Sequence, residues 1–232
     1  MENQRYNSGN QGGEDIINQI RENISLTTEI VIKVITRPIG FFREMPKTGG
    51  FLFPIIFMAA LGIIGSILRV IMSIIGLYPS MGMDISAASI LLVPVFVTIL
   101  GFISAAILFI IWKFMGSRES YETAFRCVAF AGAIAPITSL LHVIPYAGGL
   151  FGLVWTMYLM IIASTEVHKI SSQKAWIVFC ALCALLAMMS ISAEFTGRKM
   201  IDETKEFQKM TSEEADTAIG GFMKEFEESQ RK

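Results

Sequence analysis

Residues 121–179 read YETAFRCVAFAGAIAPITSLLHVIPYAGGLFGLVWTMYLMIIASTEVHKISSQKAWIVF, two long apolar segments joined by the corner Pro145-Tyr146-Ala147-Gly148-Gly149. The charges fall near the outer ends of those segments, first Arg126, then Glu166, His168 and Lys169. The interior carries small residues and one proline, Pro136. Two helices turned back on one another suit lipid, where every backbone N–H and C=O must find its partner within the protein. Working outward from this hairpin, the chain reads as an all-α, polytopic membrane helix bundle of five transmembrane helices. An N-terminal amphipathic helix precedes the bundle and a charged helical tail follows it.

Composition agrees. The 232 residues are 53% hydrophobic and 17% charged, against about 25% charged in a soluble domain. The deficit lies in the middle, since residues 50–195 hold few ionisable groups while both ends are polar. A net charge of −1 offers no basic field for nucleic acid. Cys127, Cys180 and Cys183 all lie in apolar segments, and the Cys180-x-x-Cys183 pair has no further Cys or His nearby to complete a metal shell. It reads as two small side chains packing on a helix face, and no cofactor is implied. The first apolar run begins near Phe51, so the first span must itself direct insertion.

In chain order, residues 1–13 are polar and rich in Gly, Asn and Gln, with too little apolar surface to order themselves. Residues 14–49 form an amphipathic helix and a lead-in to the membrane. Ile16, Ile17, Ile20, Ile24, Val31, Val34 and Ile35 recur at helical spacing between charges. This helix either lies on the membrane surface or packs on protein. Pro38 turns Arg37 away from helical geometry and ends it. Phe41 and Phe42, flanked by Arg37, Arg43 and Lys47, then read as an interfacial anchor. Five spans occupy 50–195: Gly50 to Leu77, Ile85 to Trp112, Ala124 to Val143, Ala147 to Thr165 and Ala175 to Ala193. Each approaches the roughly 20 residues that a bilayer core demands. In the tail, residues 196–232, an apolar stripe of Ala215, Ala218, Ile219, Phe222, Met223 and Phe226 could cap the bundle, lie on the outer leaflet or meet a partner helix.

Loop charges set an orientation. Arg37, Arg43 and Lys47 precede the first span; Lys113, Arg118 and Arg126 lie between the second and third; Lys169 and Lys174 between the fourth and fifth. The opposite loops, around Tyr78–Asp84 and Pro145–Gly149, hold no Lys or Arg. The positive-inside rule then expects a cytoplasmic N-terminus and, with five spans, a C-terminus outside. Arg198, Lys199 and Lys205 on the outer side run against this, in a tail that also carries Asp202, Glu203 and Glu206.

Depth decides whether the remaining charges are chemistry or anchors. At about 1.5 Å per residue, Arg69, Glu166 and Glu194, each 19 residues from the start of its span, land at membrane edges. No ionisable residue falls at a midplane, which argues against ion-coupled transport. Arg69 either snorkels to the interface, or pairs with Asp84 or lies near His142, all three on the outer side. Pro94 and Pro136 sit near the middle of their spans and invite kinks. Small residues at four-residue spacing (Gly62 and Ser66; Cys127, Ala131 and Ala135; Gly148 and Gly152) permit close helix packing. A kinked, tightly packed bundle or a narrow pathway along Pro94, Pro136 and Pro145 would each explain this. No nucleophile–base pair, phosphate loop, metal signature or pair of intramembrane aspartates is visible, so no enzyme is expected.

The hairpin and its flanks resemble the Yip domain family of multispanning membrane proteins, named for interaction with Ypt/Rab GTPases. The resemblance rests on Tyr121-Glu122-Thr123-Ala124-Phe125-Arg126, Pro136, Ile144-Pro145-Tyr146-Ala147-Gly148-Gly149, Trp155, Glu166-Val167-His168-Lys169-Ile170-Ser171 and Lys174-Ala175, with Arg37-Pro38-Ile39-Gly40-Phe41-Phe42 in the lead-in. It implies five spans, an N-terminus in the cytoplasm and a C-terminus outside. Eukaryotic members carry an Asp-Leu-Tyr-Gly-Pro motif before the first span, and this chain lacks it. The resemblance therefore points to a prokaryotic inner-membrane protein rather than to a small-GTPase partner, and it implies no established substrate. Two function classes follow: a non-enzymatic scaffold whose partners are the bilayer, other membrane proteins or a second copy, and a passive permeation pathway for a small solute, ion or lipid. Arg37, Pro38, Phe41, Phe42, Arg43, Glu166, His168 and Lys169 are the candidate partner surface.

Overall fold

A computed structural model describes residues 25–77 and 87–230. The order is α1 (residues 25–36), α2 (Pro38–Glu44), α3 (Leu52–Ile74), α4 (Ala87–Phe114), α5 (Tyr121–Ala131), a 3-10 turn (Gly132–Ile134), α6 (Ala135–Leu141), α7 (Ala147–Glu166) and α8 (Ser172–Gln230). No strand occurs among the described residues. Five stretches among them are long and apolar enough to cross a membrane: α3, Leu92–Phe114 of α4, Tyr121–Leu141, α7 and Ser172–Glu214 of α8. The expected disorder of residues 1–13, the first turns of the amphipathic helix and Asp84 lie outside the described residues.

The chain divides into two compact units, Met1–Ala187 and Met188–Lys232. In the first, the α5–α6 span is central, with 56% of its most apolar window buried, against 17% for α4. α3 lies against α4, α5 and α6, and α7 against α2, α5 and α6. Leu92, Phe96, Leu100, Ile103 and Ile107 of α4 stay exposed. An apolar helix surface of that extent would be unfavourable in water and is at rest in lipid.

Glycines set the closest approaches. A Cβ on Gly148 would lie 2.3 Å from the Leu141 carbonyl oxygen, so the α6–α7 corner closes only on glycine. Tyr146 enters that corner at φ +60° and ψ −40°, a positive φ that is uncommon outside glycine. Pro94 lies inside α4 as its eighth residue. Its Cα would meet a Cβ on Gly62 at 3.2 Å, which makes it a packing partner for α3. Pro136 falls in the first turn of α6, where its missing N–H is tolerated, and the helix breaks just before it at Gly132–Ile134.

The expected boundary between the last span and the tail is not a break in the backbone. α8 runs helical from Ser172 through Gln230, because a lone Gly197 and the Gly220-Gly221 pair weaken a helix without ending it. Within the second unit, ion pairs at i,i+4 spacing support it, Arg198–Glu194 at 2.8 Å and Lys199–Glu203 at 3.8 Å. The side chains of Ala215, Ala218, Phe222, Met223 and Phe226 lie outside the described residues, and Ile219 is exposed.

Candidate functional site

The lead-in folds back onto the ends of α5 and α7 through polar bonds that span long stretches of sequence. Arg43 Nε donates to Glu166 Oε2 at 2.9 Å and its Nη2 to Oε1 at 3.2 Å, a two-pronged guanidinium–carboxylate pair. That carboxylate raises the pKa of the Arg43 guanidinium. Lys47 Nζ bonds Glu119 Oε1 at 2.7 Å and the Val167 carbonyl at 3.3 Å. Thr123 Oγ1 donates to the Lys47 carbonyl at 3.1 Å, the Gly50 N–H to Glu122 Oε1 at 2.7 Å, and Arg126 Nη1 to the Gly50 carbonyl at 2.9 Å. Ser120 caps α5, its Oγ accepting the Thr123 N–H at 3.2 Å. Unpaired N–H and C=O groups of the irregular segment 45–50 are thereby met by α5 side chains, as a segment entering a membrane requires.

Under this strap lies a buried polar column. Trp112, fully buried, donates its indole N–H to Ser164 Oγ at 2.7 Å, and Ser164 donates onward to the Met160 carbonyl at 2.6 Å. The Trp112 ring stacks on His168 with centroids 3.9 Å apart. His168 Nδ1 and Ser117 Oγ share a hydrogen bond of 2.7 Å, and Ser117 Oγ also accepts the Glu119 N–H at 3.2 Å. His168 Nε2 is buried without a hydrogen-bond partner among the described residues. Burial first, and then the positive charges of Lys47 and Lys113, push the imidazole pKa down to about 3, so the ring is neutral at ordinary pH. Lys169 turns left-handed at φ +55°, which brings the Ile170 N–H back to the Ser164 carbonyl at 3.0 Å and ends α7.

The structure therefore gathers Arg37, Pro38, Phe41, Phe42, Arg43, Glu166, His168 and Lys169 at one end of the bundle, but not all at its surface. Phe42 is 1% exposed, edge-on to Phe41, which is edge-on to Phe130. The expected interfacial anchor is thus corrected for Phe42, which sits in the protein core, while Phe41 is partly buried against that core, because α2 packs on α7 and turns these rings inward. His168 is likewise interior at 5% exposed. Arg37, Arg43 and Lys169 remain exposed. Of the two settings open for the amphipathic helix, the described part of α1 buries Val34 and sets Ile30 and Val31 against the same core, so it packs on protein. Leu26, Ile32 and Ile39 face away from that core.

Sequence reasoning missed Lys47, Glu119, Glu122 and Arg126 as a connected set. Their signal was present, opposite charges gathered at span ends that face the same side. Trp112, Ser117 and Ser164 carried no such signal, since a Trp or Ser in an apolar run looks like ordinary packing.

At the other end, Arg69 and His142 line one cavity of about 340 Å³ between α3, α4 and α6. Ala135, next to Pro136, contributes to its wall, while Pro145 stands apart at the α6–α7 corner. A family model for the Yip1 domain matches residues 32–193.

The chain belongs to the Yip1 domain family. No curated protein and no solved structure matches it. The Yip1 domain match opens inside α1 and ends inside α8, so it takes in α2, the whole strap over α5 and the Arg69 cavity. Residues 194–232 lie beyond it. The chain is an integral, multi-pass membrane protein of the Yip type.

Proposed function

We propose that this Yip1 domain protein is a non-enzymatic scaffold that docks other membrane proteins, or a second copy, on the outer face of α1 and α2. The observation that carries this reading is the strap. Arg43–Glu166 and Lys47–Glu119 hold α2 and the lead-in rigidly on the bundle, while Leu26, Ile32 and Ile39 outside the spanning helices stay 43%, 54% and 46% exposed. A fixed apolar face beside the exposed Arg37 suits a partner helix with an acidic flank.

Catalysis has little to work with. Ser117 and His168 are bonded as nucleophile and base would be, but they are 6% and 5% exposed, beneath the Trp112 ring. A substrate carbonyl needs room beside both groups, which this packing does not leave. A through-going pathway is also less favoured. Beyond Met58 the space is filled by Phe102 stacked on Phe125 at 4.2 Å and Phe57 edge-on to Phe130 at 5.3 Å.

The orientation that fits has the α2 end in the cytoplasm and the C-terminus outside, in a prokaryotic inner membrane. Photo-crosslinking side chains placed at Ile32 or Ile39 in whole cells are expected to yield protein adducts, and one placed at the buried Val34 none. Lipid adducts alone at Ile32 and Ile39 would overturn the docking face. A reporter fused after Lys232 that is active in the cytoplasm would overturn the orientation.

A further inference from the structure

The cavity between α3, α4 and α6 has an apolar wall and a cationic end. Leu61 and Gly65 of α3, Val93 and Val97 of α4 and Gly132 and Ala135 of the broken span line it. A Cβ on Gly132 would meet nothing within 4 Å, so there the backbone faces open space. The hydroxyls in the wall are turned onto their own helices: Ser66 donates to the Ile63 carbonyl at 2.8 Å, Thr138 to Ala135 at 3.0 Å and Ser139 to Ala135 at 2.9 Å. With those protons engaged, the wall offers water little to hold.

Dimensions narrow the occupant. The α3 wall runs from Met58 to Arg69, roughly 16 Å at about 1.5 Å per residue. Half of a bilayer core is about 15 Å, the depth of one leaflet's acyl chain. A volume of about 340 Å³ stands at the small end of the ligand-pocket range of roughly 300–1,000 Å³, room for one chain rather than two. Arg69 and His142 stand exposed at the membrane-edge end. A guanidinium carries five N–H donors, enough to hold a phosphate beside any other contact it makes. His142 Nδ1–H donates to the Thr138 carbonyl, which fixes the ring at the mouth.

We propose that this cavity is a binding site for an anionic phospholipid of the surrounding leaflet, one acyl chain lying along Val93, Val97 and Gly132 and the headgroup phosphate at Arg69 and His142. The site is independent of the docking face on α1 and α2. Its test is native mass spectrometry of the full chain extracted from nanodiscs holding equal phosphatidylglycerol and phosphatidylcholine. One retained lipid is expected, with phosphatidylglycerol clearly favoured over phosphatidylcholine. Gly132→Leu should abolish retention, and Val97→Trp, which fills the cavity from α4, should do the same if Gly132→Leu does not fold. Arg69→Gln should keep a lipid but lose the preference. Retention unchanged in both filling variants, equal retention of the two lipids by the native chain, or displacement by equimolar oleate would each overturn the proposal.

Discussion

Acidifying the protein reports directly on the burial of His168. An unfolded chain protonates this imidazole near its ordinary value of 6.5, whereas the folded chain, with Trp112 over the ring and Lys47 and Lys113 nearby, resists until about 3. Above the unfolded value both states are neutral and the group contributes nothing. As pH falls through the window between, the unfolded state binds a proton that the folded state refuses, so stability is lost. At about pH 5, some one and a half pH units below the unfolded value, the loss is roughly 2 kcal/mol at about 1.4 kcal/mol per unit. Glu119 faces the same cluster but is engaged with Lys47, and its backbone N–H meets Ser117. The assay is thermal unfolding of the purified chain in detergent at about pH 7.5 and about pH 5, for the native sequence, His168→Gln and His142→Gln. The native chain and His142→Gln should lose several degrees on acidification, and His168→Gln clearly less. With only two histidines in the chain, an equal loss in His168→Gln and the native chain would refute the reasoning, and so would a loss removed by His142→Gln.

Two further predictions concern packing. Gly148→Ala drives a methyl against the Leu141 carbonyl and should cost about 1–3 kcal/mol or more, while Gly132→Ala, which meets open space, should be nearly neutral; melting curves of the two variants side by side decide it. Ser164→Ala strands the buried Trp112 N–H and should cost about 1–3 kcal/mol, and Trp112→Phe added to it should cost less than on the native background, a coupling that a double-mutant cycle in denaturant would show or exclude.

Much of this protein was legible in order along the chain. Apolar runs of span length, polar ends and charges confined to span edges sufficed for a five-span helical bundle, and the order of residues from Arg37 to Lys174 sufficed for the family, whose match covers residues 32–193. Hydropathy is a local property, so it survives in a linear reading. What it could not say is which way an aromatic ring or a short polar side chain would face. Phe41 and Phe42 beside three cations look the same in sequence whether they meet headgroups or Phe130. Pro94 and Pro136 looked equivalent, yet one packs on Gly62 and the other starts a helix after a 3-10 break.

The hairpin of residues 121–179 illustrates the division. Its sequence alone determined that two apolar helices turn back on each other near Pro145, a corner the structure places at residues 142–146, and carry their charges at one end, because length and polarity decide what lipid will accept. Only the tertiary structure decided that Glu166 meets Arg43, that His168 lies neutral beneath Trp112, and that Gly132 opens onto a cavity ending at Arg69. Those facts depend on groups separated by 123 residues in one case and 56 in another being brought to within bonding or stacking distance. Helix packing sets such distances, and no local pattern encodes them.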